Sequence, residues 1–203
     1  VIKFHTNKKD LKNKYKKYLF NKEVFPKVKM NKDFLFYDFV KGKNFYDVVS
    51  PFLFKKLLVW CDKKLWKPSN KDKNFKISCK KFYLNKTKER LNLFMSKNNF
   101  KVDKFTFVNG KKVSNINYLL KKIKFNSLYN GIPTFIHGDL QFDNILMLKK
   151  NKFKLIDWRS DFGGLLNKGD LNYDLSKLLG GILINYKMIK RNMFFYKNIN
   201  NKI

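Results

Sequence analysis

The stretch Phe135-Ile-His137-Gly138-Asp139-Leu-Gln-Phe-Asp-Asn144-Ile-Leu, followed by Phe153-Lys-Leu-Ile-Asp157-Trp-Arg159, decides the fold that this sequence predicts. Short apolar runs predicted as β-strands, at 135–136, 144–148 and 153–156, alternate here with polar turns. Asp139 and Asn144 lie five positions apart on one loop, and Asp157 ends the next strand. One such aspartate alone is typical of a turn or a strand-end cap. Together, the three residues can accept a hydroxyl proton and supply oxygen ligands to Mg²⁺ that bridges phosphates.

The order His-Gly-Asp, then Asn, then Ile-Asp resembles the aminoglycoside phosphotransferase and choline kinase-like family, small-molecule kinases with a protein-kinase-like fold. The resemblance implies an α+β, two-lobe fold with a partial N-lobe and a mostly helical C-lobe carrying short catalytic β-hairpins. It implies Mg²⁺-dependent transfer of the γ-phosphate of ATP or GTP to a hydroxyl of a small molecule. By this resemblance Asp139 is the catalytic base, Asn144 and Asp157 bind the metal, and His137 is structural, bonding backbone around the loop.

A second segment, Gly169-Asp170-Leu-Asn-Tyr-Asp174-Leu, matches the Gly-Asp-x-x-x-Asp-Leu pattern of the same family. Here Asp170 is predicted to cap a helix and Asp174 to support the catalytic loop. With the run from Asp157 to Gly164, this segment resembles a bacterial branch of the family found among surface-polysaccharide biosynthesis proteins. Arg159 could bind an anionic substrate or simply pair with Asp161, and the sequence leaves both possibilities open.

Upstream, the resemblance predicts a lobe boundary near residue 41, with 1–40 as partial N-lobe and connector and 41–203 as C-lobe. Lys3 matches the strand lysine that binds the nucleotide phosphates in the family, although an ordinary surface lysine is the alternative. Asp38 and Phe39 would lie on the connector beside the adenine. The acidic partner of that lysine is missing, because the next helix offers Asn13 and Lys14 where the family has Glu.

The two strands and the Gly-rich loop that cover the phosphates in this family have no counterpart before Lys3, and the nine glycines supply no such loop elsewhere. The last residues add no closing element. The expectation from the sequence is therefore a chain cut at both ends, with weak or absent turnover by itself. A kinase-like nucleotide-binding or scaffold protein with impaired catalysis is the first alternative function.

Outside these motifs, the spacing of apolar residues predicts helices over 9–21, 86–97 and 113–127, and one from Asp170 in which Gly180-Gly181 allows close packing or a kink. Ser50 and Pro51 predict the start of a further helix over 51–66. Strands are predicted at 1–4, 33–40 and 105–108, and a loop at 67–76. The resemblance implies that the insert at about 50–130 selects the acceptor. The aromatic residues of this insert suit a stacking pocket or an ordinary core.

The composition bounds the remaining function classes. The 203 residues carry 46 Lys or Arg against 15 Asp or Glu, a formal net charge of +31. This charge suits a basic nucleic-acid-binding module, the second alternative, but only three basic residues are Arg and the lysines are spread along the chain. The absence of Ala favours drift in an AT-rich genome as the cause. No run of about 18 apolar residues is present, and two cysteines do not make a disulfide framework. A cytosolic protein without a specific nucleic-acid partner is expected.

Overall fold

The computed structural model describes residues 1–4, 7–32, 34–98, 107–195 and 197. These residues form a mixture of α-helix and β-strand, in agreement with the predicted α+β class. The strands are β1 (Ile2–Phe4), β2 (Val28–Asn31), β3 (Phe34–Tyr37), β4 (Lys43–Asn44), β5 (Phe107–Val108), β6 (Lys111–Lys112), β7 (Pro133–Thr134), β8 (Ile145–Met147), β9 (Phe153–Leu155) and β10 (Gly169–Asp170). The α-helices are α1 (Lys8–Phe20), α2 (Pro51–Trp60), α3 (Lys73–Lys80), α4 (Lys86–Asn98), α5 (Ile116–Lys122), α6 (Phe125–Leu128), α7 (Leu171–Leu183) and α8 (Tyr186–Lys190).

The N-terminal part is a three-stranded antiparallel sheet in the order β1-β3-β2, against which α1 packs. The side chain of Asn7 caps α1 by accepting the N–H groups of Lys9 and Asp10. Leu11 and Tyr18 are the apolar residues that α1 buries. The helix predicted over 9–21 and the strands predicted at 1–4 and 33–40 are confirmed to within a few residues. Asp33 lies outside the described residues. Strand β2 was not predicted, because only Val28 of its four residues is buried and the other three are exposed.

The middle of the chain is helical. Ser50 accepts the N–H of Leu53 at 3.3 Å and starts α2, whose last turn continues as a π-helix over Cys61–Leu65, so the predicted helix over 51–66 is confirmed. The predicted loop over 67–76 is wrong in its second half. Asp72 caps α3 at the N–H of Phe75, and a second π-helical turn, Lys81–Asn85, joins α3 to α4. Asp72 and the polar residues around it are typical of a loop, and for this reason the start of α3 was not predicted.

Two more predicted elements differ from the structure. The helix expected over 113–127 is two short helices, α5 and α6, because Ile123 adopts an extended conformation between them. Of the strand expected at 105–108, residues 105 and 106 lie outside the described residues, and β5 pairs with β6 in a small hairpin.

The strands that carry the motifs form two small sheets. Strands β4, β8 and β9 form an antiparallel sheet in that order, so that Ile145 faces Leu155 across the β8–β9 pair. The strand predicted at 135–136 is wrong by two residues: the strand is β7, paired with β10. Phe135 and Ile136 are buried and follow β7 without pairing in the sheet. Pairing of β7 with β10 brings the start of α7 next to the chain that leads into His137.

One hydrophobic cluster packs residues from 1–40 together with residues from the motif strands. Phe25 lies with its ring centroid 4.4 Å from that of Trp158, and the N–H of Leu155 donates to the carbonyl of Val24 at 2.9 Å. The predicted boundary near residue 41 stays a prediction. Within the described ranges, no helix is long and apolar enough to cross a membrane. Cys61 and Cys79 are buried free thiols.

Helix α7 packs closely against the side chain of Phe142 at Gly181. A Cβ built on Gly181 would lie 3.0 Å from Cδ1 of Phe142, whereas one on Gly180 meets no atom within 4 Å. The ring of Phe142 cannot easily move, because it is buried and packs edge-on against Phe45 at 5.0 Å and Tyr46 at 5.2 Å. Of the two glycines, Gly181 therefore provides the close packing predicted for the pair.

We expect Gly180→Ala to raise the free energy of unfolding by about 0.5–1 kcal/mol, because alanine is the better helix former. Gly181→Ala should lower it by about 1–2 kcal/mol, because overpacking against Phe142 outweighs the gain in helix propensity. Urea denaturation of both variants measures the two changes. Equal effects of the same sign would contradict the packing described for α7.

Candidate active site

The loop from His137 to Asp139 has hydrogen-bonded backbone groups on every residue. The carbonyl of His137 accepts the N–H of Arg159 at 3.1 Å, and the carbonyl of Gly138 accepts Nε of Arg159 at 3.0 Å. The carbonyl of Asp139 accepts the N–H of Gln141 and Nδ2 of Asn144, both at 2.8 Å. Gly138 has φ +84°, and a Cβ there would lie 2.8 Å from Cβ of Arg159. The loop therefore requires glycine at this position and is fixed at each peptide.

The N–H side of the loop is bound by one carboxylate. Asp174, fully buried in α7, accepts the N–H of His137 on Oδ2 and the N–H of Gly138 on Oδ1, each at 2.8 Å. Nε1 of Trp66 donates to Oδ2 at 3.2 Å. Burial raises the pKa of Asp174, while these three donors and the charge of Lys17 act to lower it. The predicted support of the loop by Asp174 is thus seen directly in its hydrogen bonds.

Lys17 is the residue of this site that the sequence did not reveal. It is 2% exposed, and its Nζ donates to the carbonyl of His137 at 3.3 Å from the side of α1. Burial lowers the pKa of Lys17 to about 8, against the attraction of Asp174. Nothing in the sequence separates Lys17 from its many exposed neighbours of the same type, apart from its place directly before the buried Tyr18.

The imidazole of His137 holds the loop from inside. Its Nδ1 accepts the N–H of Asp139 at 3.2 Å, so the proton is assigned to Nε2, which donates to the carbonyl of Ile156 at 2.9 Å. Burial, together with the positive charge of Lys17, lowers the pKa of His137 to about 3. His137 is therefore neutral near pH 7 and ties the loop to the end of β9, as its predicted structural role requires.

Asp139, Asn144 and Asp157 line one open pocket of about 510 Å³, together with Lys14, Gln141, Asp143, Tyr186 and Lys190. Nδ2 of Asn144 binds the carbonyl of Asp139, which leaves the amide oxygen of Asn144 as the atom available to a cation. Asp157 lies two residues beyond β9 and has φ +60°, a left-handed conformation that aspartate adopts more readily than most residues. Strained backbone of this kind clusters at functional sites, so this φ is a structural signal that the sequence pattern did not contain.

The donor set of this pocket fits Mg²⁺ held jointly with a nucleotide. Among the described residues no group of three or more His, Cys, Asp or Glu forms a metal cage. Magnesium usually keeps several waters and takes one or two protein oxygens plus phosphate oxygens. The carboxylate of Asp157 and the amide oxygen of Asn144 are hard oxygen ligands of that kind, so the two residues fit the predicted metal role.

The carboxylate of Asp139 is oriented by two donors on one oxygen. Nζ of Lys177 and Nε2 of Gln141 each lie 3.0 Å from Oδ1, while Oδ2 is 3.4 Å from Nδ2 of Asn144. Burial acts to raise the pKa of Asp139, but the bonds from Lys177 and Gln141 outweigh it and the pKa is lowered. Asp139 is therefore ionised at neutral pH, with Oδ2 as the less encumbered oxygen.

Lys14 of α1 lies in the same pocket, at the position where the resembled family was expected to have an acid. Burial lowers the pKa of Lys14, against the attraction of Asp10 and Asp139. The pocket thus has a lysine from α1 facing the carboxylates instead of a glutamate. The side chain of Lys3 lies outside the described residues, and its predicted role at the nucleotide phosphates stays a prediction.

The other predicted residues lie elsewhere. Asp38 and Phe39 line a different pocket, shared with Val1 and Met30, and Phe39 is 81% exposed. The structure therefore does not bring them into the pocket of Asp139. Asp170 caps α7 at the N–H of Asn172, as predicted, and also accepts the N–H of Ile132 and the hydroxyl of Tyr83.

Arg159 and Asp161 take separate partners among the described residues. Arg159 donates to Gly138, as above, and lies 3.4 Å from the hydroxyl of Tyr173. Asp161 accepts the N–H of Gly164 at 2.8 Å and the hydroxyl of Ser160 at 3.3 Å. Of the two roles left open for Arg159, pairing with Asp161 receives no support from these contacts.

None of the protein families, curated proteins or solved structures with which the chain was compared matches it. The resemblance to small-molecule kinases therefore depends on the motifs and on the geometry of the loop and pocket.

We expect the free energy of unfolding to fall as the pH decreases from 6.5 towards 3, because the unfolded chain protonates His137 in this range and the folded chain does not. One proton contributes up to about 1.4 kcal/mol per pH unit. His137→Gln retains a donor for Ile156 but does not titrate, so its pH dependence should be shallower. Urea denaturation between pH 7 and 4 measures the difference, in which carboxylates common to both proteins cancel. His5→Gln, which removes the other histidine, is the matched control; an identical slope in wild type and His137→Gln would contradict a buried neutral His137.

Asp174→Asn should lower the free energy of unfolding by about 3–5 kcal/mol, because it leaves Lys17 buried without its counter-charge and places an NH₂ group against N–H donors. Asp161→Asn is the control, since it removes an acid of the same region and retains an oxygen for Gly164; its expected change is below about 1 kcal/mol. Chemical denaturation compares the two. Similar losses would show that Asp174 does not hold the loop.

Proposed function

We propose that this chain is a phosphotransferase of the kinase-like, two-lobe type, which uses Mg²⁺ and ATP or GTP to phosphorylate a hydroxyl of a small molecule such as a sugar or an amino alcohol, for example in surface-glycan biosynthesis. One observation carries the proposal. Asp139 and Asn144, and Asp157, which follows β9, are separate in sequence but line a single pocket, in which Asp157 has a left-handed backbone. This is the juxtaposition that phosphoryl transfer requires.

Each residue has a role that its contacts support. Asp157 and Asn144 would hold Mg²⁺ against the phosphates, and the bound ion would neutralise charge on the transferring group. Asp139 is fixed on Oδ1, so Oδ2 can accept the hydrogen of an acceptor hydroxyl and direct its oxygen along the line of transfer. A carboxylate of low pKa suits this role, since a loose transition state needs orientation more than a strong base. Lys14 supplies a positive charge to the pocket, which would favour the phosphates of a nucleotide.

A nucleotide-binding protein without transfer is the second candidate. Lys14 replaces the acid expected in α1, and the carboxylate of Asp139 is engaged by Lys177 in the structure. Both features would weaken catalysis without preventing Mg²⁺-dependent binding. The two candidates therefore differ in turnover and agree in binding.

ATP with Mg²⁺ should raise the melting temperature of the wild-type protein, because a ligand that binds only the folded state adds about 2.7 kcal/mol at 100 times its Kd. For a chain of this size that corresponds to several degrees. Asp157→Asn should abolish the Mg²⁺-dependent part of the rise. Asp143→Asn is the matched control, because Asp143 lines the same pocket but pairs with Lys190 at 2.6 Å; it should retain the rise. No Mg²⁺-dependent rise in the wild type, or the same loss in both variants, would contradict the proposed metal site.

Asp139→Asn separates the two candidates. For a phosphotransferase, this variant should bind ATP with Mg²⁺ as the wild type does and lose transfer of labelled γ-phosphate to an acceptor mixture. If neither protein transfers phosphate while both bind nucleotide, the non-catalytic candidate is correct.

A further inference from the structure

Three cationic side chains gather on two aromatic rings beside Asp139, outside the pocket that Asp139 shares with Asn144 and Asp157. The rings of Phe82 and Tyr173 are edge-on, with centroids 4.7 Å apart. Nζ of Lys86 lies 4.7 Å from the Phe82 centroid, and Cζ of Arg159 lies 5.4 Å from Phe82 and 5.8 Å from Tyr173. Nζ of Lys177 lies 5.7 Å from the Tyr173 centroid and binds Asp139. We call Lys86, Arg159 and Lys177 the cationic cluster.

The cationic cluster differs from the general excess of lysine on this chain. Most lysines are exposed, whereas Lys86, Arg159 and Lys177 are partly buried. Burial, together with the charges of Arg159 and Arg90, lowers the pKa of Lys86 to about 8, against the attraction of Asp161 and Asp10. Like charges have thus been brought together and partly desolvated, an arrangement that opposes folding unless something offsets it.

The nearby carboxylates are already engaged. Asp139 pairs with Lys177, while Asp161 accepts hydrogen bonds from Ser160 and Gly164. Within the part of the chain that the structure describes, neither Lys86 nor Arg159 forms an ion pair. The aromatic rings provide partial compensation through cation–π contacts. A full negative charge at this place would have two cations to bind.

The guanidinium of Arg159 is held so that it can bind such a charge. Its Nε is fixed on the carbonyl of Gly138, and one terminal nitrogen lies near the hydroxyl of Tyr173. A guanidinium has five N–H donors, so donors remain for an anion. Because Gly138 directly precedes Asp139, an anion bound at Arg159 lies close to the carboxylate that would orient the acceptor hydroxyl.

We infer that the acceptor of the proposed phosphoryl transfer is itself an anion, a hydroxyl compound that carries a phosphate or a carboxylate bound by Arg159 and Lys86. This inference rests on the proposed function and narrows it. A cationic amino alcohol would meet like charges at the cationic cluster and is disfavoured. A sugar phosphate or a sugar acid has the required combination of hydroxyl and anion.

Matched acceptor pairs test the inference: glucose 6-phosphate against glucose, and glycerol 3-phosphate against glycerol, each titrated calorimetrically at about 0.15 M salt to limit long-range attraction. The anionic member of each pair should bind at least about ten-fold more tightly, as expected for charge-assisted hydrogen bonds. Lys86→Gln should remove most of that preference. Lys88→Gln, which removes an exposed lysine from the same helix and leaves the same net charge, should retain it.

The outcomes separate this inference from the proposed function. Equal binding of charged and neutral members, or an equal loss in Lys86→Gln and Lys88→Gln, overturns the anionic acceptor and leaves the nucleotide experiment untouched. Preference for the anion that depends on Lys86, in a protein that shows no Mg²⁺-dependent nucleotide binding, supports the anion site and rejects the kinase. Transfer of labelled phosphate to glucose 6-phosphate or glycerol 3-phosphate, reduced at least about ten-fold in Lys86→Gln, supports both.

Discussion

The buried carboxylate of Asp174 accepts hydrogen bonds from two successive peptide N–H groups, those of His137 and Gly138. These bonds fix the backbone that directly precedes Asp139 and so orient that residue. Three parts of the chain meet at this point. Nζ of Lys17 in α1 donates to the carbonyl of His137. Arg159, which follows β9, donates to the carbonyls of both His137 and Gly138. Removing a carboxylate and an ammonium from water is unfavourable. The arrangement therefore specifies the position of the loop more than it adds to stability.

The same chemistry explains how a chain of net charge +31 can fold around so few acids. Lysine side chains serve as donors to loop carbonyls: Lys17 to His137, Lys154 to Phe25 and Lys168 to Asn70. An ammonium has three donors and a long apolar stem, so it can satisfy a carbonyl at the edge of a core. Some of the lysines thus have a structural use. High charge by itself is a weak argument for nucleic-acid binding in such a sequence.

Local patterns in the sequence predicted local structure well. The caps at Ser50 and Asp170 and the strands predicted at 144–148 and 153–156 are determined by neighbouring residues, and the structure agrees with them within a few positions. What the sequence did not reveal depends on distant contacts. Strand β7 exists because β10 pairs with it, and burial of Lys17 follows from packing of α1 on the loop. Of the residues that line the pocket, Asp139, Asn144 and Asp157 were predictable from the motifs, whereas the left-handed backbone of Asp157 was not.

The contacts of Lys177 connect the two halves of the site. Its ammonium binds Oδ1 of Asp139 and lies over the ring of Tyr173, which also carries Arg159. Lys177 and Asp174 both belong to α7, so this helix binds the side chain of Asp139 as well as the backbone of the loop. An anion at Arg159 would lie within the field of Lys177, and it would compete with Asp139 for that charge. Binding of an anionic acceptor would then weaken the hold of Lys177 on Asp139 and free the carboxylate to accept the hydroxyl hydrogen.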